Sequence, residues 1–507
     1  MAPKDQESAK RSCFFCAVQG DHLEVCKHCE NVSFCSGEHQ KIHRSENGPC
    51  HLFTVATAEG QGRFLVANRD ISPGETVFVD APLVIGPANK SPAACLECFR
   101  LPSLLSRDSD RCPECGLPVC HDCQARWNGS SSAKSFHQME CRLFKETFER
   151  ISPAHRQRIF ESIDVADDKR PCALYASLSA LRLLKSKAEC PQVWNDHVEN
   201  LMDHEEERKK DQTTWMLSHM LVVSFLRGAC RITFSADDIQ RAIGIMRTNG
   251  VKLDTRSGQA SGIGLYPTFS LLNHNCQCNT RTKKNADGNS SIELVATMEI
   301  PKGHEISTRY ATPQWGTIRR QQMLQSHWYF ACRCARCLDP TECGTMLNAV
   351  KCWECSSTGY LLPIDPLNIG SQWRCQGCQT EFAAARVIEI ILKIETRIEK
   401  ELSLPSVEQA QYLKVMEILE AKYLHPNHFL LVLLKEKLIQ SLIWHQKQPN
   451  TSPAARLSYL KGQIKWFEHI HDLMKVVDPP GDMWTDTLHK MRLEHENLSS
   501  SMNGDEH

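Results

Sequence analysis

The chain has 507 residues, enough for several domains with sizeable cores, and its 59 Lys+Arg against 60 Asp+Glu leave a formal net charge of −1. That balance excludes a globally basic nucleic-acid binder and gives no sign of a strongly anionic partner. The longest apolar stretch, 215–226, contains Ser218, His219 and Ser224 and is too short to span a bilayer, so no membrane association is expected.

The opening MAPKDQESAKRS is polar, with no apolar signal core. Most of the 26 cysteines fall in pairs with two residues between them, a spacing that lets one turn grip one zinc. Zinc in a reducing compartment, cytoplasmic or nuclear, is therefore expected over a disulfide framework. Residues 1–53 offer Cys13, Cys16, Cys26, Cys29, Cys35, His39 and Cys50, with His43 as the further ligand and His51 as its alternative. Eight such ligands make two tetrahedral sites, and so short a segment needs the metal to fold. His39 and His43, four apart, share one face of a short helix.

Residues 54–94 follow. Within 61–85, apolar alternation through FLVA and TVFV around S-P-G-E predicts a hairpin. Residues 95–141 then repeat the metal pattern with Cys95, Cys98, Cys112, Cys115, Cys120, Cys123, His137 and Cys141, where His121 competes with Cys123. Every site is closed by four protein ligands, which predicts structural rather than catalytic zinc. Neither finger is basic: 1–53 carries six Lys/Arg against seven Asp/Glu, and 95–141 five against six. This favours peptide binding over direct nucleic-acid binding.

Residues 142–260 read as a helical insert, with ALYASLSALRLLKSK and WMLSHMLVVSFLRG at helical spacing and 204–211 as a solvated helix face. Residues 261–313 hold TFSLLNHNCQCNT, a strand IELVATMEI, a P-K-G-H-E turn and EISTRY. Residues 314–340 carry Cys332, Cys334 and Cys337. Residues 341–382 carry Cys352, Cys355, Cys375 and Cys378, a ribbon-like zinc site with Gly359 and Gly377 in its turns. Residues 383–498 are helical throughout, broken near Pro405, Pro426, 449–453 and 479–480, and 499–507 reads as a disordered tail. Cys172, Cys190, Cys230, Cys278 and Cys343 fit no cluster and default to buried or idle thiols. The fold class expected is α+β and multidomain: small zinc fingers, a β-rich domain with a helical insert, and an α-helical C-terminal domain.

Four ordered blocks carry a resemblance. G-R-x-L-x-A-x-R-D-I-x-P-G-E from Gly62, S-L-L-N-H-x-C from Ser270, G-x-E-I-x-x-x-Y ending at Tyr310 and the following C-x-C-x-x-C resemble the motifs of SET-domain lysine methyltransferases. The two Cys/His clusters resemble MYND zinc fingers. A MYND finger inside the SET domain resembles the SET-and-MYND (SMYD) family, and the additional finger with HQKIH resembles its arthropod-type branch.

The resemblance implies an S-adenosylmethionine-dependent protein-lysine N-methyltransferase acting on a histone or non-histone protein. Asn273 and His274 would contact the cofactor, with Ser270 and Leu271 beside it. Gly62 and Arg63 would pass its methionine end, although Phe64 stands where a Gly is common. Tyr310 would line the point where amine meets methyl, and Phe330 would stack near the adenine. Cys276 would join Cys332, Cys334 and Cys337 on one zinc, with Cys278, in place of a usual proline, as a competing thiolate. About six structural zinc ions, proline-containing peptide partners at the MYND fingers, a tetratricopeptide-like C-terminal domain and a monomeric state complete the implication. The alternative is a non-catalytic adaptor, favoured by Phe64, Cys278 and the extra finger.

Overall fold

In the computed structural model the described residues are 13, 18, 23–25, 33–44, 52–88, 94–99, 110–127, 135–164, 172–189, 191–254, 260–284, 290–355, 359–402, 406–478 and 482–504. The chain is α+β. Its β-core is three small sheets, and the first begins earlier than the sequence implies. Strand Phe53–Ala58 pairs antiparallel with Gly62–Ala67, from Phe53↔Ala67 to Ala58↔Gly62. The turn between them needs left-handed backbone at Gly60 and Gly62, φ 74° and 75°, which glycine adopts without a Cβ penalty.

This corrects the hairpin expected within 61–85. Gly62–Ala67 has Glu305–Thr308 as its other neighbour, whereas Thr76–Asp80 joins Ile292–Ala296 and Thr280–Lys284 in a separate sheet. The S-P-G-E turn carries the chain from one sheet to the other, and Ile71 bridges Ile300 at the crossing. Period-two alternation says which side of a strand is buried, not which strand lies beside it. Leu52, Leu65, Val77, Phe78, Leu294 and Ile306 close one core between the two sheets. Leu52 and Phe53 thus belong to this core and not to the N-terminal finger.

The third sheet orders Val84–Pro87, Ala260–Leu265 and Gly250–Asp254. The insert's helices therefore end at Asn249, and 250–254, expected to be helical, is strand; V-K-L-D alternates with a β-branched start, and Ile263 and Leu265 supply the partner edge. Helices Gln138–Arg150, Pro153–Asp164, Ala173–Glu189 and Ala236–Asn249 build the insert's core around Tyr175, Leu178, Leu181 and Ile245. The apolar run after Trp215 winds as Gln212–Ser218 and then as wide turns over His219–Val223 and Phe225–Ala229. Nor is 204–211 a purely solvated face. Arg208 is buried and donates to Gln240 O and Oε1, both at 2.9 Å, and His204 packs on Tyr329 with ring centroids 4.9 Å apart.

Val350–Lys351, Tyr360–Pro363, Trp373–Cys375 and Glu381–Phe382 form an antiparallel meander that shares its core with the C-terminal helices. Those helices are Ala384–Glu401, Gln409–Lys422, Phe429–Gln446, Pro453–Val477 and Asp482–Gly504. The last corrects the tail: helix continues through 499–504, because extending an existing helix is far easier than nucleating one. Residues 505–507 lie outside the described set. Among the described residues no helix is long and apolar enough to cross a membrane.

Candidate functional site

The site is built where three distant segments meet. A single tight turn, Phe269–Leu271, leads into it. The Asp80 carboxylate fixes this turn by accepting from the N–H groups of Thr268 (2.8 Å) and Phe269 (2.9 Å). Burial pushes Asp80 up to about 7 against those two bonds. Ser270 donates its hydroxyl to Tyr266 O at 2.7 Å, and Leu271 leans on the β-core. The chain then runs through Asn273–His274 parallel to the strand end Ser307–Thr308.

Glu305 ties this loop to the glycine turn. It accepts from Asn273 Nδ2 at 2.9 Å and from Gln61 Nε2 at 3.0 Å on each oxygen. Gln61 and Glu305 escaped the sequence reading, although each sits inside or beside a quoted block. Gly62 and Arg63 follow directly. The Arg63 guanidinium is half-buried and held below its ordinary range by burial. His197, from the helical insert, is pushed down by burial; the charge of Asp196 opposes this and that of Arg63 adds to it. Nothing in the sequence spacing signalled His197. Phe64, next in that strand, pairs with Ala56 of the neighbouring strand Phe53–Ala58.

Tyr310 ends the third segment. Its backbone N–H donates to His274 Nδ1 at 3.0 Å, and its hydroxyl donates to Leu272 O at 2.5 Å. Burial, and then the charge of Glu305, push the phenol above its usual range, so it is neutral at physiological pH. Trp328 lies 4.9 Å from its ring centroid, His274 5.4 Å and Phe330 6.5 Å edge-on. Trp328 is anchored across the site by Nε1 donating to Thr248 O at 2.8 Å. The result is a cluster of aromatic rings packed around the Tyr310 ring, whose hydroxyl oxygen points at Leu272 O. That oxygen's hydrogen is committed to a carbonyl, which leaves its lone pairs free to accept from an amine.

The metal-ligating side chains gather into sets whose ligand atoms lie within 4.8 Å of one another: Cys95, Cys98, Cys120 and Cys123; Cys112, Cys115, His137 and Cys141; Cys276, Cys332, Cys334 and Cys337; Cys352, Cys355, Cys375 and Cys378. Contacts of 3.8 Å for Cys98–Cys120 and Cys352–Cys378 match the S···S edge of a zinc tetrahedron with bonds of about 2.3 Å. In the embedded finger the first pair joins the third and the second joins the last two ligands. Cys123 takes its place there, while His121 stays exposed and donates its N–H to Asp110. Cys278 is buried outside the tetrad and donates to Thr280 O at 3.3 Å.

In the N-terminal finger Cys13, Cys35 and His39 converge, His39 Nδ1 lying 3.4 Å from each sulfur. Cys16, Cys26, Cys29, Cys50, His51 and the side chain of His43 lie outside the described residues. No described cysteine is in a disulfide.

Two of the centres are backed by buried charge. His137 Nδ1 meets Glu140 Oε1 at 3.1 Å, and Glu140 is clasped by Arg182 Nε (2.8 Å) and Nη2 (2.6 Å). Arg182 also donates to Ile85 O and Leu96 O, joining finger, sheet and insert. At the other centre Arg320 donates to Cys276 Sγ (3.2 Å) and Cys337 Sγ (3.4 Å). Glu342 lies against both Arg320 and Arg336; burial pushes its carboxyl up, but the two guanidiniums overcome this and hold it below the usual range.

Parts of the chain are similar to known proteins. The SET domain family matches residues 62–311. SET domain-containing protein SmydA-8, isoform B, of Drosophila melanogaster is 29% identical over 338 residues, covering 66% of this chain and 68% of that protein. Histone-lysine N-methyltransferase ASHR1 of Arabidopsis thaliana is 26% identical over 473 residues, covering 84% and 90%. Histone-lysine N-methyltransferase SMYD3 of Mus musculus is 25% identical, covering 58% and 63%. Among solved structures, Rubisco LSMT bound to sinefungin and monomethyllysine is 11% identical with a TM-score of 0.31, covering 90% of each chain.

Proposed function

Because this chain is a SET-domain protein of the SET-and-MYND family, we propose that it is a protein-lysine N-methyltransferase using S-adenosylmethionine. The observation that carries the reading is Tyr310, its hydroxyl hydrogen given to Leu272 O and its ring set among Trp328, Phe330 and His274. A free lysine amine, with pKa about 10.4, is mostly protonated at neutral pH, and aromatic surroundings favour loss of that proton. Tyr310 then accepts from the amine and points its lone pair. S-adenosylmethionine, when bound, would supply an electrophilic methyl sulfonium to the neutral amine that Tyr310 orients. Gly62, Arg63, Ser270, Leu271, Asn273, His274 and Phe330 would hold this cofactor.

The ring nitrogens of His274, the amide of Asn273 and the hydroxyl of Ser270 are already bonded within the chain. These bonds hold the loop's shape; the Asn273 amide keeps its oxygen and second N–H, and the Ser270 hydroxyl its lone pairs, for the cofactor. Zinc takes no part in the chemistry and ties the segments together. The fingers, neither of them basic, belong to the same reading as docking sites for proline-containing segments of protein partners, with the chain monomeric and cytoplasmic or nuclear.

The adaptor alternative is favoured by Phe64, which puts a ring next to Arg63 where close backbone approach is wanted. Calorimetric titration with S-adenosylmethionine, followed by radiolabelled methyl transfer to candidate proteins, separates the two. Absence of binding at millimolar cofactor sinks the enzyme reading. Given binding, Tyr310→Phe should slow transfer with little change in cofactor affinity, whereas Asn273→Ala should weaken that affinity by loosening the Glu305 tie.

A further inference from the structure

The ring of His274 touches both the four-cysteine centre and the strand end that carries Tyr310. The Tyr310 N–H donates to Nδ1 at 3.0 Å, so Nδ1 bears the lone pair and the ring hydrogen is on Nε2. Nε2 lies 3.3 Å from Cys276 Sγ, and that contact is therefore an N–H donated to sulfur. Cys276 is 1% exposed, and its sulfur also receives Arg320 Nε at 3.2 Å. Two donors thus fix one ligand sulfur, one from the loop and one from helix Thr317–Trp328. The parallel pairs Asn273↔Ser307 and His274↔Thr308 bring Tyr310 within reach of the loop, and the imidazole makes the last link.

We propose that His274 is a positioning residue that transmits the placement of Cys276 in the metal centre to the backbone of Tyr310. Loading of that centre then sets where the phenol sits. For its catalytic consequence the inference rests on the methyltransferase reading; for its effect on the metal it does not. An N–H donated to a ligand sulfur fixes that ligand's orientation, and partners of this kind are worth about 10- to 100-fold in metal affinity or activity. Four of the groups concerned (Cys276, Cys337, Arg320 and the His274 ring) form one connected set with Tyr310 at its end.

The two bonds of the ring can be cut separately in the full-length, zinc-loaded chain. His274→Asn keeps an amide oxygen where Nδ1 stands, able to accept from Tyr310 N–H, but does not reach Cys276. His274→Gln places an amide N–H where Nε2 stands and gives up the acceptor for Tyr310. Zinc release is followed with a chromophoric chelator, and methyl transfer with radiolabelled cofactor. Zinc should leave the Asn variant about tenfold faster than wild type and the Gln variant at a rate within about twofold of it, while kcat falls about tenfold in both.

Equal zinc release from wild type and the Asn variant overturns the proposal, as does an unchanged kcat in either variant. If wild type binds no S-adenosylmethionine, the methyltransferase reading fails and the zinc-release comparison alone decides the Cys276 link. Should the Asn variant lose its far-UV circular dichroism, Arg320→Lys replaces it, since it loosens the same sulfur and leaves His274 in place. There, faster zinc loss with a matching fall in kcat supports the relay, and faster loss with unchanged kcat overturns it.

Discussion

Arg182→Met tests whether the embedded finger and the helical insert are one mechanical unit. Arg182 and Glu140 are both 0% exposed, and the pair is doubly bonded at 2.6 and 2.8 Å. Burial raises the Glu140 carboxyl, and the charge of Arg182 first, then His137, bring it below its ordinary range. Removing the guanidinium leaves a carboxylate in the interior with only the His137 ring beside it and strips the donors from Ile85 O and Leu96 O. Breaking one side of a buried pair costs about 3–5 kcal/mol, and the lost carbonyl partners fall within that range because Glu140 can protonate. A protonated Glu140 is a poorer acceptor for His137 Nδ1–H, so the zinc held by Cys112, Cys115, His137 and Cys141 should loosen as well. Urea unfolding followed by tryptophan fluorescence reads the stability, and a chromophoric chelator reads the zinc. Glu140→Gln in the Arg182→Met background removes the stranded charge and should restore about 2 kcal/mol. A loss below about 1 kcal/mol, or unaltered zinc release, would refute the coupling.

Three further outcomes are expected. His428 is fully buried and caps helix Phe429–Gln446 by accepting from Leu430 N, and burial pushes it down to about 3. Its folded value lies below the unfolded one of about 6.5, so the unfolded state binds more protons in between; stability falls as pH drops from about 6.5 toward 3, by up to about 1.4 kcal/mol per unit. Thermal melts at pH 7 and 5 should show a smaller acid loss in His428→Asn, which keeps a capping acceptor; equal losses would exclude this residue as a source. Gly359→Ala would set a Cβ 2.6 Å from Cys375 Sγ and 2.7 Å from Cys355 Sγ, and elemental analysis should find one zinc fewer than in wild type. Deleting residues 1–51 should leave a folded chain with its cofactor affinity intact, whereas extending the loss to the side chain at Leu52 (0% exposed) by Leu52→Ala should cost about 2–5 kcal/mol in chemical denaturation.

What the sequence by itself determined lies within short reach of the chain. Two cysteines with two residues between them can only grip together. The S-P-G-E run marks a turn, and the apolar spacing within 173–189 and 429–446 admits a helix and little else. The ordered blocks from Gly62 to Cys337 were enough to point to the SET-and-MYND family and to an α+β chain with a helical end. Tertiary structure alone decided which distant pieces meet. Alternation marked Gly62–Ala67 and Thr76–Asp80 as strands but was silent on their neighbours, Glu305–Thr308 and Ile292–Ala296. The interleaving of Cys95 and Cys98 with Cys120 and Cys123 follows from the loop's path, since equivalent thiols give any pairing the same local spacing. Gln61 and Glu305 are 244 residues apart, and Arg182 and Glu140 are 42. A lone Gln, Glu or Arg in a sequence reads as surface. Gln61 and Glu305 became partners only when strand pairing brought their elements side by side, and Arg182 and Glu140 became a buried brace only when folding removed water from around them and left each other as the available hydrogen-bond partners.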